Sequence, residues 1–227
     1  MIEAFLRAGK LLFSGDREVY FIAWTSLRFS LVSTILAAAL SLPLGFVLGF
    51  RSFRGRRLAI VVLNTLMAMP TVVVGLLVYS FISRSGPLGF LGLLFKPQAL
   101  IIGQTLLCFP LMASMTYSAL SRMDRRLPET LITLGASRRQ IVWMTIREMR
   151  IAMLLALLAG FGRIIGEVGA SMMLGGNIRW YTRTLTTAIA LETGKGEFAL
   201  ALALGLILLL IAFLVNFGLH WMVKHES

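Results

Sequence analysis

Long apolar blocks separated by short polar runs dominate the chain. Five of them, approximately 20–50, 58–83, 98–121, 149–174 and 198–222, are long enough to cross a bilayer as helices, which takes about 20 mostly apolar residues each. The pattern predicts an all-α polytopic membrane protein with five transmembrane helices in one membrane domain over residues 1–227. Three blocks contain a proline, at Pro43, Pro70 and Pro110, and each is expected to bend its span. Ahead of the first block, Ile2, Phe5, Leu6 and Leu12 fall on one side of a helix. That spacing fits an N-terminal helix lying in the membrane interface, with a disordered leader as the alternative.

Composition supports the same solvent. Hydrophobic residues make up 58% of the chain and charged ones 14%, with a mean hydropathy of +0.85, against about 25% charged in soluble domains. The formal charge of +12 would suggest nucleic acid in a soluble protein. Here the basic residues sit in short runs between apolar blocks, so lipid is the expected partner and nucleic acid is not. A single cysteine, Cys108, leaves no internal disulfide and no cysteine-based metal cluster. The first eighteen residues include Glu3, Arg7, Lys10, Asp16, Arg17 and Glu18 and lack the form of a signal peptide. Residues 51–57 hold Arg51, Arg54, Arg56 and Arg57. Together with Lys224 and the seven arginines of 122–150 they place twelve basic residues on one face against eight on the other. By the positive-inside rule the N-terminus is expected outside and the C-terminus in the cytoplasm.

The longest polar stretch between spans is 122–148. Pro128 and Glu129 suit a helix start, Leu131, Leu134, Ile141 and Trp143 supply apolar contacts, and Gly135, Ala136 and Ser137 make a thin turn before Arg138, Arg139 and Gln140. From the residues alone two readings stand: a helix–turn–helix knob for a partner's groove, or an amphipathic connector whose bases face headgroups.

At these residues the sequence resembles the membrane subunits of ATP-binding cassette importers. Their cytoplasmic signature, Glu-Ala-Ala, three residues, Gly, stands here as Glu129-Thr130-Leu131, three residues, Gly135. Thr130 and Leu131 replace its alanines, and Arg147-Glu148 its usual Leu-Pro. The resemblance spans roughly 22–222. It implies an importer permease fold in which the knob is a coupling helix, with Glu129, Leu134, Gly135, Ala136, Ser137 and Arg138 docking on a separate ATPase subunit. It further implies a homodimer, two such ATPase subunits holding ATP and magnesium, and an external binding protein. No G-x-x-x-x-G-K-[ST] phosphate loop occurs in the chain, so no ATPase activity or cofactor is expected of it. Some relatives append a cytoplasmic sensor domain; the sequence stops at Ser227 and none is expected.

Arg163 and Glu167 fall inside the fourth block, four positions apart and so on one face of a continuous helix. A charge at mid-bilayer costs about 2.5–3.5 kcal/mol on insertion scales, and pairing would reduce that cost. Two roles remain open, a gate element beside the pathway and a buried pair fixing helix register. Gly162, Gly166 and Ala170 make a small-x-x-x-small strip for close helix approach. By the family resemblance the path narrows at residues of the second, third and fourth spans, here Pro70, Thr71, Val74, Glu167 and Ser171. Side-chain hydroxyls bonding helix carbonyls are the alternative for Thr71 and Ser171.

Between the last two spans, Asn177, Arg179, Thr182 and Arg183 are candidates for attracting an oxyanion or for docking an acidic rim of the binding protein. Met69-Pro70-Thr71 through Leu76, Ser85-Gly86-Pro87-Leu88-Gly89 and Arg163 through Ala170 resemble the molybdate, tungstate and sulfate branch. Tyr181-Thr182-Arg183 and Thr186 through Gly196 are most similar to tungstate-type permeases, which implies tungstate as cargo, with molybdate or sulfate next. A membrane enzyme would need clustered histidine, acid or cysteine, and His220 and His225 have no acidic cluster beside them. A self-sufficient channel or secondary transporter would not need a knob for an ATPase.

Overall fold

The computed structural model describes residues 16–124 and 126–226, with the backbone alone at 126–129, 216 and 219–226. The predicted interfacial helix at 2–14 lies outside the described residues. The described residues are helical and form, in order, α1 (Arg17–Phe50), α2 (Arg56–Ala68), α3 (Thr71–Ile82), a 3-10 turn (Gly89–Leu91), α4 (Pro97–Arg122), α5 (Arg126–Thr133), α6 (Arg138–Glu148), α7 (Arg150–Ile165), α8 (Gly169–Gly175), α9 (Leu185–Gly194) and α10 (Phe198–Glu226). Three helices, α1, α4 and the Phe198–Val215 part of α10, are long and apolar enough to cross a membrane, and the bent pairs α2–α3 and α7–α8 raise the number to five when each is one span.

Two of the five predicted spans are therefore broken. The second turns by 101° between α2 and α3. Met69 and Pro70 are both extended there, as expected where a proline disfavours helical backbone in the residue before it. The fourth bends by 65° across Gly166, Glu167 and Val168. Pro43 and Pro110, by contrast, lie inside continuous helices, where lost backbone bonds can be re-satisfied within a packed bundle.

The centre of the bundle is the α1–α4 pair. Its backbones approach closely because glycine leaves room for side chains of the other helix: a Cβ on Gly45 would lie 2.6 Å from Thr116 Cβ, and one on Gly49 2.6 Å from Leu120 Cβ. A buried polar seam runs along the same contact. Ser33 Oγ donates to Gln104 Oε1 at 3.0 Å, and Thr105 Oγ1 donates to the Ser33 carbonyl at 3.4 Å. In lipid such side-chain bonds join helices that gain nothing from apolar contact with each other over contact with acyl chains. α7 enters beside this pair, with the Cβ position of Gly160 2.5 Å from Cys108 Sγ. The expected strip at Gly162 and Gly166 is different. Nothing lies within 4 Å of a Cβ on Gly162, and on Gly166 only the Gly162 carbonyl of its own helix does. These two glycines leave an open surface, not a packed one within the chain.

Candidate functional site

The polar loop folds as the helix–turn–helix that its pattern predicts. α5 starts at Arg126, with Pro128 and Glu129 in its first turn and the Glu129 side chain outside the described residues. Gly135 has φ +77° with open space around it. This left-handed conformation is disfavoured for residues with a Cβ, and it reverses the chain before α6. Ser137 caps α6 in a capping box: its N–H donates to Gln140 Oε1 at 2.8 Å, and its hydroxyl accepts from the Gln140 N–H at 3.4 Å. Arg138 and Arg139 are exposed at the start of that helix, and Ala136 is half-buried.

Around this turn the apolar side chains divide. Leu131 and Thr145 are buried, which holds the two helices in place. Leu134 (76% exposed), Trp143 (66%) and Ile132 (62%) are not covered by this chain. Leu134, Gly135, Ala136, Gln140, Trp143 and Met144 line one shallow depression. Large exposed apolar groups gathered on an otherwise charged loop form a patch of the kind that contacts another protein or a membrane.

The second group of residues gathers where the two broken spans meet. α3 lies against α8, so a Cβ on Gly75 would be 3.0 Å from Ala170 Cα, and one on Gly169 would be 2.9 Å from Val72. The same point at Gly169 lies 3.5 Å from both Glu167 Oε1 and Thr71 Oγ1, which brings two of the predicted pathway residues together. Val74 packs against Val78, Ile82, Ala99 and Leu174, and Pro70 is exposed ahead of α3. Ser171 is buried and its hydroxyl has no hydrogen-bond partner among the described residues, so the alternative reading, a bond to a helix carbonyl, is not met there.

The geometry corrects the reading of Arg163 and Glu167 as a pair on one helix face. α7 ends at Ile165 and α8 begins at Gly169, so the spacing of four does not place them one turn apart. Glu167 is buried, and its carboxylate accepts from the Ala170 N–H at 3.0 Å, capping the start of α8. Its carbonyl accepts from Thr186 Oγ1 at 2.8 Å, which ties the break to α9. Arg163 is exposed and shares a small cavity with Leu66, Met67, Met69, Leu107 and Leu111. Among the described residues it forms no ion pair with Glu167.

The outer residues are also more engaged than their sequence suggests. Glu18, at the start of α1, accepts from Arg179 through both Nε, at 2.8 Å, and Nη2, and from Arg183 Nη1 at 3.2 Å. The hydrogen bond and charge of Glu18 raise the Arg179 pKa above its ordinary value. The Phe21 and Trp180 rings meet at 5.1 Å in the same junction. Thr182 is fully buried, donates to the Gly175 carbonyl and accepts from the Ile178 N–H at 3.1 Å. It is a clasp for the loop and is not available to an external anion. Asn177 stands at φ 50° and donates from Nδ2 to the Thr187 carbonyl at 3.3 Å. Glu18 and Ser26, whose Oγ accepts from the Leu185 N–H at 2.6 Å, complete this junction, and sequence spacing gives no signal for either.

Known proteins match this architecture. Residues 41–225 fit the family model described as "Binding-protein-dependent transport system inner membrane component". The chain is 44% identical over 214 residues to the tungstate uptake system permease protein TupB of Peptoclostridium acidaminophilum, covering 94% of each chain. It is 41% identical over 220 residues to TupB of Campylobacter jejuni, covering 97% of this chain and 92% of that one. A solved structure of the MetNI methionine ABC transporter in an inward-facing conformation superposes with a TM-score of 0.72 at 20% identity, covering 93% of this chain and 95% of that one.

Proposed function

This chain belongs to the binding-protein-dependent transport system inner membrane component family, and from that membership we propose that it is the permease subunit of an oxyanion importer with tungstate as its cargo. Two copies form the conduit. A separate cassette ATPase grips each copy through the turn at Gly135, and an external binding protein delivers the anion. The chain itself is a transport component, held as one permease domain in the cytoplasmic membrane with its N-terminus outside and its C-terminus in the cytoplasm.

The observation that carries this reading is the uncovered apolar tip formed by Ile132, Leu134 and Trp143 on a charged loop. Docking into a groove would bury these three side chains, each contributing on the order of 1.5–3 kcal/mol when fully covered. A lipid-facing connector would hold such groups against the bilayer and not at the tip. The arginine-rich 51–57 loop on the same predicted face supports the orientation. Tungstate is favoured over molybdate and sulfate by relatives named for tungstate uptake at 41–44% identity across nearly the whole chain.

We assign the pathway to the junction of α3 and α8, where Thr71 and Glu167 come together, with Pro70, Val74 and Ser171 on the same two segments and Arg163 on the open wall beside Gly162 and Gly166. An intramembrane cation without an acid beside it would favour a dianion over a neutral solute.

The test is reconstitution of the chain with a cassette ATPase and an anion-binding protein drawn from neighbouring reading frames. ATP-dependent tungstate uptake into liposomes is expected, together with loss of ATPase copurification in Leu134→Glu. Uptake by this chain alone without ATP would sink the reading in favour of a channel. Uptake of molybdate or sulfate in preference to tungstate would overturn the cargo alone.

A further inference from the structure

A second polar cavity, of about 560 Å³, opens where the end of α1, the start of α2 and the end of α4 meet. Arg51, Ser52, Arg56, Tyr117 and Ser121 supply its polar lining, and no lining residue is acidic. Arg56 is held in position. Its Nε donates to the Leu48 carbonyl at 2.7 Å and its guanidinium lies 5.6 Å from the centre of the Tyr117 ring. Its Nη groups make no hydrogen bond to protein among the described residues. Arg56 is also the first residue of α2, whose start has no side-chain cap among the described residues, so the positive end of that helix dipole lies beside the cavity, with the Arg56 N–H itself bonded to the Phe53 carbonyl at 3.2 Å. The opposing dipole of α1 is partly answered where Arg51 N–H and Arg56 Nε bond carbonyls of its last turn, and that of α4 where Met123 N–H bonds the Leu120 carbonyl.

We propose that this cavity binds the phosphate of an anionic phospholipid headgroup from the leaflet that faces the 51–57 loop. Two arginines and two serine hydroxyls, beside the positive end of a helix, form a donor set for a tetrahedral oxyanion bearing net negative charge. The site lies at the membrane boundary, between spans, where a headgroup resides and acyl chains pass along the exposed apolar face of α2, with Leu58, Val61 and Val62 outward. Basic pockets between helices at this depth are how membrane proteins select anionic lipids. The site also adjoins the end of α4, the segment that leads into the loop at Gly135. The lipid therefore braces the joint between α4 and the α5–α6 loop. This goes beyond the transport reading and rests on it only for which leaflet supplies the lipid.

The test uses the full chain in nanodiscs of phosphatidylglycerol mixed with phosphatidylcholine, followed by native mass spectrometry of the lipid retained on stepwise removal. Wild-type protein is expected to retain phosphatidylglycerol. Ser121→Glu, an exposed position outside the arginine anchors, and the Arg51→Gln/Arg56→Gln pair should each lower that retention about tenfold. Arg54→Gln/Arg57→Gln, which alters bases outside the cavity lining, should lower it less than about threefold. Equal losses from both arginine pairs would mean diffuse attraction and overturn the proposal. So would unchanged retention in Ser121→Glu, or equal retention of phosphatidylcholine. Displacement of the lipid by millimolar inorganic phosphate or tungstate would assign the site to a free oxyanion and overturn the lipid reading. None of these readouts depends on transport.

Discussion

Glu18 and Arg183 stand 165 positions apart in the chain and 3.2 Å apart in the fold. Arg179 reaches the same carboxylate, so a single acid at the head of the first span holds the loop that follows the fourth. The two arginines are not equivalent, since the Arg183 side chain is 13% exposed and that of Arg179 is 59% exposed. An exposed pair is screened by water and salt, whereas a partly buried one is screened far less. Arg183→Met should therefore cost about 1–2 kcal/mol, and Arg179→Met should have the smaller effect. Faster amide exchange over residues 176–184 in the first variant, and little change in the second, is the expected outcome. The reverse order would place the restraint in Arg179 and its contact with Trp180.

The close approach of α1 and α4 makes a separate prediction. A Cβ at Gly49 would sit 2.6 Å from that of Leu120, so Gly49→Val overfills the contact at a cost of about 1–3 kcal/mol. A lower melting temperature in detergent is expected. Leu120→Ala added to Gly49→Val should recover only the part due to Leu120 Cδ1 and Cγ, at 2.8 and 3.2 Å, because alanine keeps the Cβ at 2.6 Å. Failure of the second change to help would mean that the Cβ–Cβ approach of the two helices, and not the outer Leu120 carbons, carries the cost.

The apolar blocks were legible in the sequence because lipid imposes a length on every span, and that constraint leaves little freedom. The loop around Gly135 was legible because its turn requires a residue that tolerates positive φ and its second helix has a serine three positions before a glutamine. Pro70 announced a break. Gly166-Glu167-Val168 did not, since those residues continue an apolar stretch, and counting four positions from Arg163 assumed a helix that stops at Ile165. The Ser33–Gln104 bond and the Glu18 junction join residues 71 and more than 160 positions apart. No local period can reveal such partners, and an arginine read as an exposed anion lure is found already holding an acid.

Glu167 acts through its oxygen as a cap and not through a bond to Arg163. Glu167→Gln keeps an acceptor for the Ala170 N–H, while Glu167→Ala removes it and should cost about 0.5–2 kcal/mol, as for other helix caps. The expected result is near-normal thermal stability in the glutamine variant and a lower melting temperature in the alanine variant. If glutamine preserves stability yet abolishes uptake, the negative charge itself belongs to the pathway. If glutamine and alanine destabilise equally, the capping bond is not what the carboxylate supplies.

Arg163 offers the sharpest separation between a structural and a transport role. It is exposed on a wall shared with Met67, Met69 and Leu111, beside two glycines that no other helix packs against among the described residues. A residue that fixed helix register would be buried against a partner, and its removal would show first in stability. A cation that meets a passing dianion would show first in uptake, since exposed substitutions away from packed features usually change stability by less than about 0.5 kcal/mol. Arg163→Gln is expected to leave the melting temperature within about 2 °C of wild type and to lower ATP-dependent oxyanion uptake at least tenfold, one charged contact being worth roughly 1.5–3 kcal/mol. Arg163→Lys should retain part of the rate, because it keeps the charge while losing the planar fork. A marked fall in melting temperature with undiminished uptake per folded molecule would return Arg163 to the scaffold.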